Sequence, residues 1–318
     1  MAVLVTGVGY IGAALVASLL ATGERVVGLD NGFATDGSAL AELTRSGEFC
    51  LIDGSVSSPR SVARAFAQEP IRTVYHAAAQ ASGSVAGTLA RYTEATNLSG
   101  PRVVLDAAVR HGVARIVYLS SFRVYGEVLP RRLDERAPYG SQRDLAHLSH
   151  IYGEKLLELY ARRGSLHGVA VRLGVVYGVG PVMKFDYRYM TVPNKFCLQA
   201  VRGEPLQVYA GAATPTAFIH LADACTALRA AGDLDWPERF TAANAAGEVW
   251  TVPQVARTVA RAAAPLGLRV AVHGDFEAPS GHAVRVGSRL AARGWAPSHT
   301  LHDGIAELLH YFRARVTV

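Results

Sequence analysis

The chain has 318 residues, half of them hydrophobic, enough for a sizeable core and, at this length, for one large domain with a smaller lobe. Its formal net charge is +6, yet the basic residues are dispersed and form no run of the kind that binds nucleic acid. No apolar run reaches membrane-span length, no basic stretch precedes an apolar one at the N-terminus, and Cys50, Cys197 and Cys225 are scattered; the expectation is a cytoplasmic protein with buried thiols, no metal and no membrane contact.

The first predicted strand is Ala2–Thr6. It runs into Gly7-Val8-Gly9-Tyr10-Ile11-Gly12 and then a helix over Ile11–Ala21. In such a turn the first glycine permits the tight bend, the second admits a pyrophosphate close to the backbone, and the third lets helix and strand pack closely. The helix N-terminus adds free N–H groups and a positive dipole end. The next predicted strand, Arg25–Asp30, ends on an acid about 20 residues beyond the glycines. There a carboxylate bonds both adenosine ribose hydroxyls and repels a 2′-phosphate, which favours NAD over NADP.

Further predicted strands are Glu48–Asp53, Thr73–His76, Arg115–Ser120 and Val169–Arg172. Helices are predicted between them at Ser38–Ser46, Pro59–Gln68, Tyr92–His111 and Ser149–Arg163. Nearly continuous apolar strands alternating with helices predict an α/β fold, a doubly wound parallel sheet covered on both faces. Ligands in such sheets lie at the carboxyl ends of strands, where Asp30, Asp53, His76 and Ser120 fall. After Arg172 the alternation breaks, with helices at Val192–Val201, Leu221–Ala231, Val252–Ala264 and Leu301–Arg315. The expected division is a dinucleotide-binding Rossmann domain over 1–173, to which 213–245 partly returns, and a substrate lobe from 174–212 and 246–318.

Candidate chemistry sits in two places. Ser120-Ser121 follow an apolar strand, so a hydroxyl there points at the cofactor crevice. Tyr152 and Lys155 lie three apart on a predicted helix and are neighbours. An ammonium beside a phenol favours the phenolate, which takes a hydroxyl proton as hydride leaves the same carbon. His76 reads as an interior histidine satisfied by hydrogen bonds, and Asn97 as a buried hydrogen-bonding group within a helix.

Taken together, these motifs resemble the extended short-chain dehydrogenase/reductase family, of the nucleotide-sugar epimerase and dehydratase type. The resemblance rests on Val5-Thr6-Gly7-Val8-Gly9-Tyr10-Ile11-Gly12, Leu29-Asp30-Asn31 and Asp53-Gly54. It continues through Tyr75-His76-Ala77-Ala78-Ala79-Gln80, Asn97-Leu98-Ser99-Gly100, Ser120-Ser121 to Tyr125-Gly126, Tyr152 with Lys155, and Phe218-Ile219-His220. It implies that Tyr152 is the general acid/base, that Lys155 lowers its pKa, and that Ser121 orients the reacting oxygen. It implies an NAD site of Gly7, Gly9, Tyr10, Ile11, Gly12, Asp30, Asn31, Asp53, Gly54, Ala77, Ala78 and Ala79, with Tyr152 and Lys155. Substrate contacts are implied for Ser82, Ser121, Tyr152, Asn194 and Val208, and a homodimer for the assembly.

This chain departs from the family's pattern. Tyrosine and lysine are usually four apart there; here they are three apart, so a shifted helix start restores the geometry, Tyr139 or another tyrosine serves, or this step is impaired. Phe122-Arg123 replace the dehydratases' acid pair, and Thr216-Ala217 stand where an arginine often holds the diphosphate. Three functions therefore remain open: an NAD-dependent epimerase or oxidoreductase on a nucleotide sugar, a ketone reductase or alcohol dehydrogenase on a smaller substrate, and an NAD-sensing regulator without turnover.

Overall fold

The computed structural model describes residues 1–33, 37–45, 47–80, 88–164, 166–209, 213–274 and 283–316. In chain order the elements are β1 (Ala2–Thr6), α1 (Tyr10–Leu20), β2 (Val26–Asp30), α2 (Gly37–Thr44), β3 (Phe49–Asp53), α3 (Pro59–Phe66), β4 (Ile71–His76) and α4 (Thr88–Thr93). They continue with α5 (Gly100–Arg110), β5 (Arg115–Ser121), β6 (Arg132–Leu133), α6 (Leu145–Arg163), β7 (His167–Leu173), β8 (Val175–Tyr177), α7 (Val192–Val201) and β9 (Leu206–Val208). Last come β10 (Thr216–His220), α8 (Leu221–Asp233), β11 (Phe240–Ala245), β12 (Glu248–Trp250), α9 (Val252–Ala263), β13 (Val272–Gly274), β14 (Arg285–Val286) and α10 (Leu301–Arg313).

Seven strands form one parallel sheet in the order β11-β7-β5-β4-β1-β2-β3. Strand side chains alternate between its faces. Val3 and Val5 of β1 join Leu15 and Leu19 of α1 and Ala227 and Leu228 of α8. Ala2 and Leu4 join Val104 of α5 and Leu157 of α6 on the other face. A third core, built from Phe196, Val259, Leu308 and Phe312, packs α7, α9 and α10 together. Between β1 and β4 the winding direction reverses, and adjacent loops diverge to open a crevice at the strands' carboxyl ends.

Two helices differ from the sequence expectation in ways that matter at the site. The expected helix over Tyr92–His111 is α4 and α5 joined by a wider π turn at Glu94–Ser99, which carries the buried Asn97. Helix α6 begins four residues before Ser149, because Asp144 caps it by accepting a hydrogen bond from the His147 N–H at 2.8 Å. That cap lies outside the hydrophobic periodicity from which the start was read. Cys197 and Cys225 are buried, but Cys50 alternates outward on the last strand of the sheet and is exposed. Among the described residues, no helix is long and apolar enough to cross a membrane, and no group of His, Cys, Asp and Glu is arranged to hold a metal.

Candidate active-site crevice

The crevice encloses about 340 Å³ and crosses the sheet from β2 to β7. Gly7, Gly9, Tyr10, Ile11 and Gly12 line it at the end of β1 and the start of α1. Gly7 has φ +79°, and a Cβ there would lie 2.4 Å from the Ala78 Cα. A Cβ on Gly12 would lie 1.9 Å from the Gly7 carbonyl oxygen. Only glycine leaves this floor low enough for a ligand's backbone-close approach. The N-cap of α1, Gly9, offers no capping side chain, so the first N–H groups remain for an anion.

Asp30 closes one end. Its carboxylate accepts hydrogen bonds from the Val8 and Gly32 N–H groups, each at 2.7 Å. The group is thus aimed, with lone pairs left for ribose hydroxyls. Beside it, Asn31 donates to the Tyr92 hydroxyl at 3.0 Å, and the Phe33 and Tyr92 rings stack at 4.3 Å. Phe33 and Tyr92 were not foreseen; their contact joins residues 59 positions apart, which a local pattern does not reveal. Gly54, Ala77, Ala78 and Ala79 complete this half, and Asp53 stays outside. The Asp53 side chain alternates to an exposed position, while its carbonyl accepts from Arg64 at 3.4 Å.

The other half lies at β5 and β7. Ser120 and Ser121 both touch it, but they differ. The Ser120 hydroxyl donates to Glu154 at 2.5 Å. Ser121 Oγ accepts from the Arg123 N–H at 3.2 Å, leaving its O–H to donate to a ligand. Leu173, Gly174, Val175 and Val176 form the wall beyond, with Lys184, Tyr189 and Thr191 from the following segment. Burial lowers the Lys184 pKa, and its ammonium stands 5.8 Å over the Tyr189 ring.

Helix α6 supplies His150 to the crevice, and Tyr152 and Lys155 do not reach it. Tyr152 is 39% exposed, and the Lys155 ammonium pairs with Glu158 at 3.0 Å on the outer face. The register of α6 is locked. Fully buried Glu154 accepts from Arg172 at 2.7 and 3.0 Å, from Ser120, and from the Tyr139 hydroxyl at 2.9 Å. Ser149 accepts from Asn97 at 3.0 Å, and Asn97 also bonds the Gln80 backbone through both ends of its amide. With Ala146, Gly153, Glu154, Leu157 and Ala161 inward, residue 150 falls on the crevice side and residues 152 and 155 fall opposite. The expected catalytic roles of Tyr152 and Lys155 are corrected on this ground. Tyr139 does not substitute, because burial and then the Glu154 carboxylate raise its pKa and hold the phenol protonated.

The remaining sequence candidates divide similarly. Asn194 is buried behind the wall, where it donates to the Tyr10 hydroxyl at 3.2 Å and accepts from the Gly178 N–H at 3.2 Å. Val208 is 1% exposed inside the α7–α9–α10 core, so its expected substrate contact is corrected to packing. Ser82 lies outside the described residues. His76 bonds Thr6 through Nδ1 at 2.7 Å, but its buried Nε2 has no partner among the described residues, so it is only half satisfied.

A sequence profile of the NAD dependent epimerase/dehydratase family matches residues 3–241, well over half of the chain. UDP-glucuronic acid decarboxylase 1 of Arabidopsis thaliana is 26% identical over 315 residues, covering 98% of this chain and 69% of that protein. The UDP-glucose 4-epimerase of Neisseria meningitidis serogroup C is 33% identical over 156 residues, 45% of either chain. Among solved structures, the UDP-glucose 4-epimerase of Thermus thermophilus, in complex with NAD, superimposes with a TM-score of 0.82. It is 26% identical and matches 99% of this chain and 100% of that one. The UDP-glucose 4-epimerase of Bifidobacterium longum, 22% identical with a TM-score of 0.85 over 99% of each chain, shares the fold. On the extent of the profile match, this chain belongs to the NAD-dependent epimerase/dehydratase family.

Proposed function

We propose that the crevice holds NAD together with a nucleotide sugar, and that the chain oxidises a secondary alcohol of that sugar by hydride transfer, through a transient ketone. The carrying observation is the span from the glycine floor and the aimed Asp30 carboxylate to the free Ser121 hydroxyl. Gly7, Gly9 and the start of α1 would hold the pyrophosphate, Asp30 the adenosine ribose, and Ala77 to Ala79 the passage between the two halves. When bound, NAD supplies the hydride acceptor. Ser121 would then hold the substrate oxygen in line with it, and the hydroxyl proton would pass to water at the crevice mouth, because α6 brings no phenol to the site. The kinship to a UDP-glucose 4-epimerase and a UDP-glucuronic acid decarboxylase supports a UDP-sugar as the substrate class.

The test uses the full chain, saturated with NAD and mixed with UDP-glucose or UDP-glucuronic acid. The expected result is near-ultraviolet absorbance of reduced dinucleotide, lost in Ser121→Ala by about a hundredfold in rate. Binding of NAD with no reduction by either sugar would instead favour the second reading, a dinucleotide sensor. That reading is supported by α6 bringing no phenol into the crevice. We also propose that two copies pair through α5 and α6. Leu148, Tyr152 and Leu159 are exposed on α6 and Val109 on α5, which supports a self-complementary apolar face. Sedimentation of Tyr152→Asp as a monomer would agree, and a monomeric wild type would remove the proposal.

A further inference from the structure

On helix α6, His150 lines the crevice, and Ala146, one turn before it, is buried. Ala146 is 3% exposed, and His150 lines the crevice wall beside Ser120 and Ser121. The family resemblance expects a tyrosine and a lysine four apart on this helix. The locked register puts a methyl group and an imidazole at that spacing instead. His150 Nδ1 is enclosed and has no hydrogen-bond partner among the described residues. A proton on Nδ1 would be a buried, orphaned N–H; a proton on Nε2 avoids that and leaves an N–H for an acceptor in the crevice. Burial lowers the ring's pKa to about 4, so it is neutral at physiological pH.

The crevice order places this ring. Asp30 on β2 marks the adenosine end; β5 and β7 lie at the far end of the same strand sequence, where the nicotinamide half falls. Resting on the NAD reading above, we infer that His150 donates a hydrogen bond from Nε2 to the nicotinamide-side ribose, so that α6 presents a neutral donor there. The electrostatic consequence is specific. A cation beside the positively charged oxidised nicotinamide repels it and spares the reduced ring; a neutral imidazole does neither. The other charges facing this ring are already engaged or common to all variants. Glu154 is paired with Arg172, Asp144 caps the helix by accepting from the His147 backbone N–H and is the same in every variant, and Lys184 stands in the facing wall.

The experiment is calorimetry of the full chain with oxidised and reduced NAD for wild type, His150→Ala, His150→Gln and His150→Lys. Imidazole ¹⁵N spectra with and without oxidised NAD accompany it, with the His150 signal assigned by its loss in His150→Gln. His150→Ala should weaken NAD binding about tenfold, and His150→Gln, which keeps a donor, should stay within about threefold of wild type. His150→Lys should lower the ratio of oxidised to reduced affinity by roughly tenfold. The His150 signal should report a neutral ring that shifts on NAD addition, a readout that stands even if the alanine variant fails to fold. Wild-type affinity in His150→Ala, an unmoved imidazole signal at saturation, or an unchanged affinity ratio in His150→Lys would each overturn the inference while the NAD reading stands. A wild type that binds neither form removes that reading, and the inference with it.

Discussion

Glu154→Ala is expected to be the most damaging single change in the molecule's polar interior. Glu154 is fully buried and accepts from Arg172, Ser120 and Tyr139, while Arg172, 3% exposed, also donates to the Tyr125 hydroxyl at 2.8 Å. Removing the carboxylate strands a buried guanidinium and orphans two hydroxyl donors. Breaking one side of such a pair costs about 3–5 kcal/mol. With a denaturant dependence near 3 kcal/mol per molar, the urea midpoint should fall by about 1–1.7 M. Glu154→Leu combined with Arg172→Met removes both charges, and should recover most of that loss, because the pair's attraction largely offsets its own desolvation and no more. The assay is urea unfolding of Glu154→Ala, of the single variants Glu154→Leu and Arg172→Met, and of their double. A Glu154→Ala midpoint within about 0.2 M of wild type would refute the reasoning, as would a double variant whose loss equals the sum of the singles.

Gly7→Ala meets Ala78 backbone at 2.4 Å in a left-handed conformation, so it should cost about 1–3 kcal/mol and weaken NAD binding by more than about tenfold, measured by thermal unfolding and calorimetry. Asp30→Asn keeps an acceptor for the Val8 N–H but removes the charge; the NAD over NADP preference, read by titration with each, should fall by about tenfold or more. His76 has its pKa lowered by burial from 6.5 to about 4, so its folding contribution is complete above pH 6.5 and is lost as pH falls toward 4. Urea midpoints measured downward from neutral pH should reveal a loss of about 2 kcal/mol from this residue by about pH 5, absent in His76→Asn. His150 is shifted in the same direction and by a similar amount, so a similar acid-side loss is expected from it, absent in His150→Gln.

The dinucleotide half of the crevice was legible in the sequence because each of its parts is local. A glycine turn follows a strand, an acid ends the next strand, and both signals span a few residues. The far half was not legible, because it depends on which face of α6 turns inward. Tyr152 and Lys155 satisfied a neighbour rule that holds on any helix face, whereas His150 carries no motif and gains its place from the phase of Ala146, Glu154 and Leu157.

By itself, the sequence determined the alternation of strands and helices, the glycine floor and the aspartate at the end of β2, since hydrophobic period and turn chemistry act over short stretches of chain. Tertiary structure alone decided the rotation of α6. Its phase is set by a buried carboxylate that reaches Arg172 on β7, 18 residues away, and by a serine that reaches Asn97, 52 residues away. The entropy lost in closing such separations is offset only by the whole packed core, so no local pattern announces these bonds.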